Sequence, residues 1–344
     1  MGGLSDQELR RQDMSRFKKY VLPLSGDFNP HIPMSPALIL WLLIFFLIPM
    51  LFFTGTNSFG ATEKKFLAFA QDTLANDYRK AQVFDVRDAV AEHAGLDFVY
   101  SDANGQTSLL IRHIEKFIAA QVDVLIVGTN DPDAVVPVVT KAHQRGIPVI
   151  ILDRGINGTN YTTFINSDNI KIGRIAAEYL AESLQGKGTV LLFEGLRKAD
   201  VTQMRSRGFF YAIRQYPEIK VIKRTGNYLR KNAILETEKL IKEGIHFDAI
   251  FSESDSMLSG VRSALRRHQM DPSSFITIGC DYTAEAREAI RRGTQNASIL
   301  FPLGGRETVE TALKILNKEE VPRHISIPVK LVTRDNADKV EPVF

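Results

Sequence analysis

The chain has 344 residues, of which 44% are hydrophobic and 24% charged, and its formal net charge is +3. This composition is typical of a globular protein, and the small positive charge does not indicate nucleic-acid binding. A single cysteine, Cys280, excludes an internal disulfide and a cysteine-rich zinc site. The length is sufficient for two lobes that each bury a core.

The first apolar segment predicts a membrane anchor. Residues 37–53 (ALILWLLIFFLIPMLFF) contain no charge, and with their flanks they reach the roughly 20 residues that a bilayer-spanning helix needs. Cations are concentrated at residues 10–19 before this segment and resume only at Lys64 and Lys65. The positive-inside rule therefore predicts a basic cytoplasmic segment at 1–35, a transmembrane signal anchor at 36–56 and a linker at 57–63.

A cleaved signal peptide is the alternative for this region, because residues 58–61 (SFGA) offer small side chains near a cleavage position. Signal peptides have short leading segments and apolar stretches of about 7–15 residues. Both the polar leader and the apolar run of this chain are longer, which favours an uncleaved anchor.

From Lys64 onward, strand and helix patterns alternate. The predicted strands are residues 65–70, 97–100, 122–127, 147–152, 161–165, 188–193, 220–224, 249–252, 275–279 and 297–301. The predicted helices are residues 79–94, 106–120, 134–145, 168–184, 202–216, 231–243, 256–268, 284–292 and 304–316. This alternation predicts right-handed crossovers and parallel sheets. The strands are too many for one sheet of ordinary size, so we expect two similar halves.

Residues 146–155 (GIPVIILDRG) carry the clearest ligand signal. The apolar run predicts a strand buried on both faces, and Asp153 and Arg154 follow it directly. Ligands of open parallel sheets lie outside the carboxyl ends of the strands, where this acid and base are expected. Taken alone, the segment also fits a buried strand whose terminal ion pair only caps the sheet.

Polar and aromatic residues recur at the ends of the other predicted strands and in the loops that follow. The candidate ligand-binding residues are Tyr78, Arg79, Asn130, Asp153, Arg154, Arg205, Tyr228, Ser254, Asp255, Asp281 and Phe301. Carboxylates accept hydrogen bonds from ligand hydroxyls, arginines donate them, and rings cover the apolar faces of a sugar. The set predicts a site for a small polar ligand.

Signals of catalysis are missing from the sequence pattern. Ser256 and Ser259 have no histidine and aspartate arrangement typical of a nucleophilic triad, and the seven histidines have no metal-ligand spacing. Gly186 and Gly188 precede a predicted strand, whereas a dinucleotide-binding loop follows one and opens a helix. We therefore expect a protein without catalytic residues, metal or cofactor, and a hydrolase or dehydrogenase is disfavoured.

Several short motifs carry a family resemblance. They are 146–154 (GIPVIILDR), 166–169 (NSDN) with 172–173 (IG), 205–209 (RSRGF), 252–257 (SESDSM) with Gly260, and 278–281 (IGCD). In this order, the chain from about residue 64 to 333 resembles bacterial periplasmic binding proteins of the ribose- and galactose-binding type. The ligand domain of lactose-repressor-like regulators shares that fold.

The resemblance implies an α/β fold with two Rossmann-like lobes, parallel sheets, three crossovers between the lobes and a cleft that closes about a hinge. This is the type I periplasmic binding protein architecture, and one transmembrane helix would precede it. Lobe 1 would comprise residues 64–167 and 301–328. Lobe 2 would comprise residues 168–300 and 329–344.

The resemblance also implies residue roles. Asp153 and Arg154 match the acid and base that bind sugar hydroxyls and the ring oxygen. Arg205 matches the arginine of the second lobe, Asp281 matches an aspartate after a cleft strand, and Tyr228 falls where a ring stacks on the ligand. The Tyr78-Arg79 pair is similar to a Trp-Arg pair of furanose-binding members.

Three positions depart from the family pattern. Ser254 precedes Asp255 where many sugar binders have asparagine, and Phe301 stands where they have glutamine. Gly128 occupies the place of an asparagine after the third strand, which Asn130 would replace. The groups that discriminate one sugar from another have therefore changed. The three cleft arginines leave an anionic ligand such as a sugar acid open, unless the nearby aspartates pair with them.

These features predict a non-enzymatic receptor in the bacterial inner membrane, with its ligand domain on the periplasmic side. It would close around a sugar-like ligand and serve a sensor kinase, a chemoreceptor or an ABC permease. A lactose-repressor-type regulator without its DNA-binding domain is an alternative, as is a docking protein with a degenerate cleft. Residues 1–60 contain the predicted span instead of a helix-turn-helix, so nucleic acid is not an expected partner.

Overall fold

A computed structural model describes residues 64–344, which form one compact unit. The predicted cytoplasmic segment, anchor and linker lie outside these residues. Between Lys64 and Phe344, no helix has both the length and the apolar character that a membrane crossing needs.

Within residues 64–344, twelve strands and nine α-helices alternate along most of the chain. The strands are β1 Lys65–Gln71, β2 Leu96–Asp102, β3 Val124–Gly128, β4 Val149–Leu152, β5 Thr163–Asn166, β6 Lys187–Glu194, β7 Glu218–Thr225, β8 Ala249–Ser252, β9 Ile276–Asp281, β10 Ala297–Leu300, β11 His324–Ser326 and β12 Lys330–Thr333. The helices are α1 Asp77–Ala91, α2 Thr107–Ala119, α3 Val136–Gln144, α4 Asn169–Ser183, α5 Asp200–Ile213, α6 Arg230–Lys242, α7 Asp255–Arg267, α8 Ala284–Arg291 and α9 Gly305–Leu316.

The strands form two six-stranded sheets, one in each lobe. The orders are β11-β5-β4-β3-β1-β2 in the first sheet and β12-β10-β9-β8-β6-β7 in the second. The chain passes between the sheets three times, within residues 166–169, 300–305 and 326–330. This arrangement confirms the predicted α/β fold with two lobes.

The sequence pattern missed β11 and β12, because three or four residues are too few to show a periodicity. It also predicted parallel pairing throughout, whereas β12 runs antiparallel to β10. The cause is the third passage between the sheets: β11 ends at the carboxyl edge of the first sheet, and β12 begins four residues later. The chain thus enters the second sheet from its carboxyl edge and must run against the other strands.

The central strands explain why both sheets are stable. Every residue of β3, β4 and β8 is buried, and their sequences VLIVG, VIIL and AIFS are almost entirely apolar. Strands covered by helices on both faces have such continuous apolar runs. Polar groups are therefore confined to the ends of these strands. Asp123 and Asp248 precede β3 and β8 at the amino edge, and the candidate residues follow the strands at the carboxyl edge.

Helices α4 and α5 pack with their backbones in contact. A Cβ added at Gly173 would lie 1.9 Å from the carbonyl oxygen of Arg205, and one added at Gly208 would lie 2.1 Å from that of Ile170. Neither carbonyl can move without distorting its helix. These glycines therefore fix the distance between the two helices, and with it the position of Arg205.

We predict that Gly173→Ala lowers the free energy of unfolding by about 1–3 kcal/mol or more, because the added methyl group clashes with backbone. Denaturant unfolding of the full chain measures the loss. Gly95→Ala is the matched control, since no atom lies within 4 Å of the Cβ position there. Equal stability of the two variants would show that α4 and α5 can separate freely.

Candidate functional site

The carboxyl edges of the two sheets face each other, and the lobes touch directly. Asn76 donates from Nδ2 to the carbonyl oxygen of Tyr228 at 2.8 Å, and Ser256 donates from Oγ to Asp77 Oδ2 at 2.7 Å. The backbone N–H of Gly155 donates to Asp200 Oδ2, also at 2.8 Å. The structure is therefore a closed state in which the residues between the lobes are buried.

The start of α1 places two predicted residues at this interface. Asn76 caps the helix by accepting from the backbone N–H of Arg79, so Tyr78 and Arg79 lie in the first turn. The Tyr78 hydroxyl donates to the carbonyl oxygen of Pro302 at 2.6 Å, and its ring stacks on Phe301 with centroids 5.1 Å apart. Tyr78 thus packs against residues 300–305, the second of the three segments that join the lobes.

Arg79 is fully buried and lies at the centre of a group of charges that we call the charge ring, formed by Asp72, Arg79, Asp153 and Arg154. Its Nη1 lies 3.2 Å from Asp153 Oδ2, and its Nε lies 3.3 Å from Asp72 Oδ1. Arg154 lies 3.6 Å from Asp72 and 4.0 Å from Asp153. Burial lowers the pKa of Arg154, and the neighbouring Arg79 guanidinium lowers it further.

Several polar atoms of this edge are buried without a hydrogen-bond partner among residues 64–344. They are both carboxylate oxygens of Asp72, Oδ1 of Asp153, Nε of Arg79, Nε of Arg154 and the side-chain oxygen of Asn130. The aspartates and arginines attract one another by charge, but the contacts of these atoms lack hydrogen-bond geometry. An unsatisfied buried polar atom costs about 1–3 kcal/mol, and more when charged, so this cluster indicates a place for a polar ligand.

Arg205 is the corresponding arginine of the second lobe. It donates from Nε to Asn169 Oδ1 at 2.8 Å and from Nη1 to the carbonyl oxygen of Glu253 at 2.6 Å. Its guanidinium also lies over the Phe301 ring, 4.5 Å from the centroid. Burial raises the pKa of Asp281, an effect that the charge of Arg205 opposes.

Tyr228 packs flat against Gly195, where a Cβ would lie 1.9 Å from the Cζ atom of the ring. Its hydroxyl lies 2.7 Å from Thr202 Oγ1, and the Arg154 guanidinium of the other lobe lies 5.3 Å from its ring centroid. The Tyr228 side chain therefore covers the charge ring from the side of lobe 2.

Two predicted residues are engaged within lobe 2. Ser254 caps α7 by accepting from the backbone N–H of Met257. Asp255 accepts from Gln295 Nε2, Ser298 Oγ and the backbone N–H of Tyr282, the first and last at 2.8 Å. Burial raises the pKa of Asp255 to about 6, although these donors oppose the shift. These three donors hold its carboxylate beside β9 and β10, which makes Asp255 a poor candidate for ligand contact.

The sequence reasoning missed two buried acids at this edge, Asp72 and Glu253. Each follows its strand directly, as Asp153 follows β4, so strand-end position was an available signal. For the β1 loop the prediction began at Tyr78, and after β8 it began at Ser254. Both choices passed over the first residue beyond the strand.

Glu253 belongs to a chain of buried hydrogen bonds under the site. Its Oε2 accepts from the Gly195 N–H at 2.8 Å. Ser206 Oγ lies 2.8 Å from Glu194 Oε1 and 3.0 Å from Glu253 Oε1, yet a hydroxyl has one proton to donate. The contacts are satisfied if Glu253 is protonated and donates to Ser206, which donates to Glu194. Burial raises the pKa of Glu253 to about 8, in agreement with this assignment.

We predict that Glu253→Gln flattens the dependence of stability on pH. A carboxyl group with a native pKa near 8 and an unfolded pKa of about 4.3 keeps its proton only in the folded state between these values. Wild-type stability therefore declines as pH rises from 5 to 8, by up to about 1.4 kcal/mol per pH unit from this group. The amide matches the protonated acid and does not titrate.

Urea unfolding at several pH values between 5 and 8 measures this effect. The surface variant Glu288→Gln serves as control, since Glu288 pairs with Arg292 on an exposed helix face. Parallel profiles for wild type and Glu253→Gln would contradict a protonated Glu253.

Comparison with known proteins places this geometry in a family. Residues 67–320, well over half of the chain, match the model of the periplasmic binding protein domain. The chain belongs to this family. The ribose import binding protein of Bacillus subtilis (strain 168) is 29% identical over 71% of this chain and 79% of its own length.

Solved periplasmic binding proteins have the same fold. The fructose-binding periplasmic domain of a hybrid two-component system is 26% identical, with a TM-score of 0.74 over 80% of this chain and 92% of that one. A protein from Mycobacterium smegmatis in complex with β-D-fucofuranose is 27% identical, with a TM-score of 0.76 over 80% and 93%. The names of these relatives describe binding, in agreement with the expectation of a non-enzymatic protein.

Proposed function

We propose that the protein is an extracytoplasmic receptor whose lobes close on a neutral sugar or polyol. The observation that carries this proposal is the set of buried, unpartnered polar atoms in the charge ring. It contains acceptors on Asp72 and Asp153 and donors on Arg79 and Arg154. A hydroxyl group donates one hydrogen bond and accepts others, so a polyhydroxylated ligand matches this mixture.

The charges favour a neutral ligand over the sugar acid considered from the sequence. Arg79 and Arg154 each lie near both Asp72 and Asp153, so the charge ring has no formal net charge. Arg205 already donates to Asn169 and to a backbone carbonyl. A carboxylate on the ligand would add a buried charge without a free cation to balance it.

Ligand binding would stabilise the closed state by joining the two lobes. The charge ring and Asn130 belong to lobe 1, whereas Arg205, Tyr228 and Asp281 belong to lobe 2, and Phe301 lies at the hinge. A ligand that contacts both sets has a higher affinity for the closed conformation and shifts the population toward it. The relatives that bind ribose, fructose and fucofuranose support a small sugar as that ligand.

We predict that one of D-ribose, D-fructose, L-arabinose, D-galactose or myo-inositol raises the melting temperature of the full chain by several degrees. A ligand at about 100 times its dissociation constant adds roughly 2.7 kcal/mol of stability. Asp153→Ala and Arg205→Ala are expected to abolish the shift. Arg87→Ala, which removes a surface guanidinium paired with Asp88, should retain it. A wild-type protein that responds to none of these sugars would contradict the proposed function.

We further propose that residues 36–56 anchor the receptor in the inner membrane, with the ligand domain on the periplasmic side. A tether suits a protein that presents its closed form to a membrane partner, such as a sensor kinase or a chemoreceptor. The fructose-binding relative is part of a hybrid two-component system, whereas the ribose relative serves import, so delivery to an ABC permease is the competing role. A gene that lies beside permease and ATPase genes, with loss of sugar uptake when it is deleted, would reject the sensor role.

We predict that the protein stays in the membrane fraction after alkaline carbonate extraction and retains its first 35 residues. Fractionation of cells followed by mass measurement of the intact protein tests both points. A soluble periplasmic form that begins near residue 62 would instead identify the segment as a cleaved signal peptide.

A further inference from the structure

Asp72 is held rigidly at the end of β1. Its backbone N–H lies 3.1 Å from both the carbonyl oxygen of Gly128 and Oε1 of Gln71, and its carbonyl oxygen accepts from the Gly105 N–H at 2.8 Å. These bonds join the end of β1 to the residues that follow β2 and to the end of β3. The backbone of Asp72 therefore has a fixed position beside the charge ring.

The carboxylate of Asp72 is only 5% exposed, yet neither of its oxygens has a hydrogen-bond partner within the described part of the chain. The nearest cationic atoms are Arg79 Nε and Arg154 Nη1, which make charge contacts without hydrogen-bond geometry. A buried ion pair repays the loss of solvation only when hydrogen bonds satisfy its remaining lone pairs. The Asp72 carboxylate does not meet that condition, so ion pairs within the protein do not by themselves compensate for its burial.

Gly128 makes this arrangement possible. It ends β3, the strand between β1 and β4, and a Cβ there would lie 2.4 Å from Gln71 Oε1 and 3.2 Å from Arg79 Nη1. The missing side chain leaves room for the Arg79 guanidinium to extend across the end of β3 from Asp72 to Asp153. Two acids on strands that are not neighbours are thereby brought to one arginine.

We propose that Asp72 is a specificity-determining residue whose two carboxylate oxygens bind two adjacent hydroxyl groups, a vicinal diol, of the ligand. This inference rests on the proposed function and adds the substrate class: sugars and polyols with a free vicinal diol at the end held by lobe 1. Each hydroxyl donates to one oxygen of Asp72. Each accepts from an arginine Nε, one from Arg79 and the other from Arg154, which are the unpartnered donors of the charge ring.

The test uses the full chain and the sugar from the panel above that gives the largest melting shift. Dissociation constants for that sugar and its single-deoxy analogues are measured by calorimetry with wild type, Asp72→Asn and the control Asp97→Asn. Asp97 lies on β2 of the same lobe, 41% exposed and paired with Lys64, so its variant reports a simple loss of charge. Asp72→Ser is the second variant in case the amide does not fold.

We expect Asp72→Asn to bind the parent sugar about 10- to 100-fold more weakly, since an amide offers one acceptor in place of two. Wild type should bind the two analogues that each lack one of two adjacent hydroxyl groups much more weakly than the parent sugar. Asp72→Asn should lose little further affinity for these analogues, and this difference is the signature of a direct contact. Equal weakening of the parent sugar and every analogue would mean that Asp72 only supports the fold and would overturn the inference. Unchanged affinity of Asp72→Asn would also overturn it, while sugar binding itself would stand. A wild type that binds no sugar would reject the proposed function as well.

Discussion

The geometry of the site depends on one buried guanidinium. Arg79 reaches across the carboxyl edge of the first sheet, near Asp72 at one side and Asp153 at the other, and donates to the Thr129 carbonyl oxygen at 3.1 Å. It thereby joins the ends of three strands at a point where water is excluded. Without its positive charge, Arg154 alone, at 3.6 and 4.0 Å, would have to balance two buried carboxylates that repel each other.

The two lobes contribute to the site in different ways. In lobe 1 the charged groups lie close together but are poorly satisfied, whereas in lobe 2 Arg205 and Asp255 already have hydrogen-bond partners of their own. Under the proposed function, a ligand would therefore gain its strongest polar contacts from lobe 1. Under the proposed function, lobe 2 would add the Tyr228 ring and the Arg205 guanidinium, which lies over Phe301, and so complete the enclosure.

Much of this architecture could be predicted from the sequence because buried parallel strands have long apolar runs with abrupt polar ends. The end of β4 revealed Asp153 and Arg154 in this way. The direction of a side chain could not be predicted in the same way. Nothing in the local sequence shows that the Asp255 carboxylate points into the interior of lobe 2, where it accepts from Gln295. Asp72 was missed because the predicted first strand ended at residue 70, one short of the observed end at Gln71, and the loop that follows contains several polar residues.

The three passages of the chain between the lobes have a consequence for folding. The sheet of lobe 1 includes β11, whose partner β5 lies about 160 residues earlier, and the sheet of lobe 2 ends with β12. Neither sheet is complete until nearly the whole chain is available, and pairings so distant in sequence form slowly. A chain built in this way completes both sheets only when its synthesis is nearly finished, which suits the proposed export of the domain across a membrane before it folds.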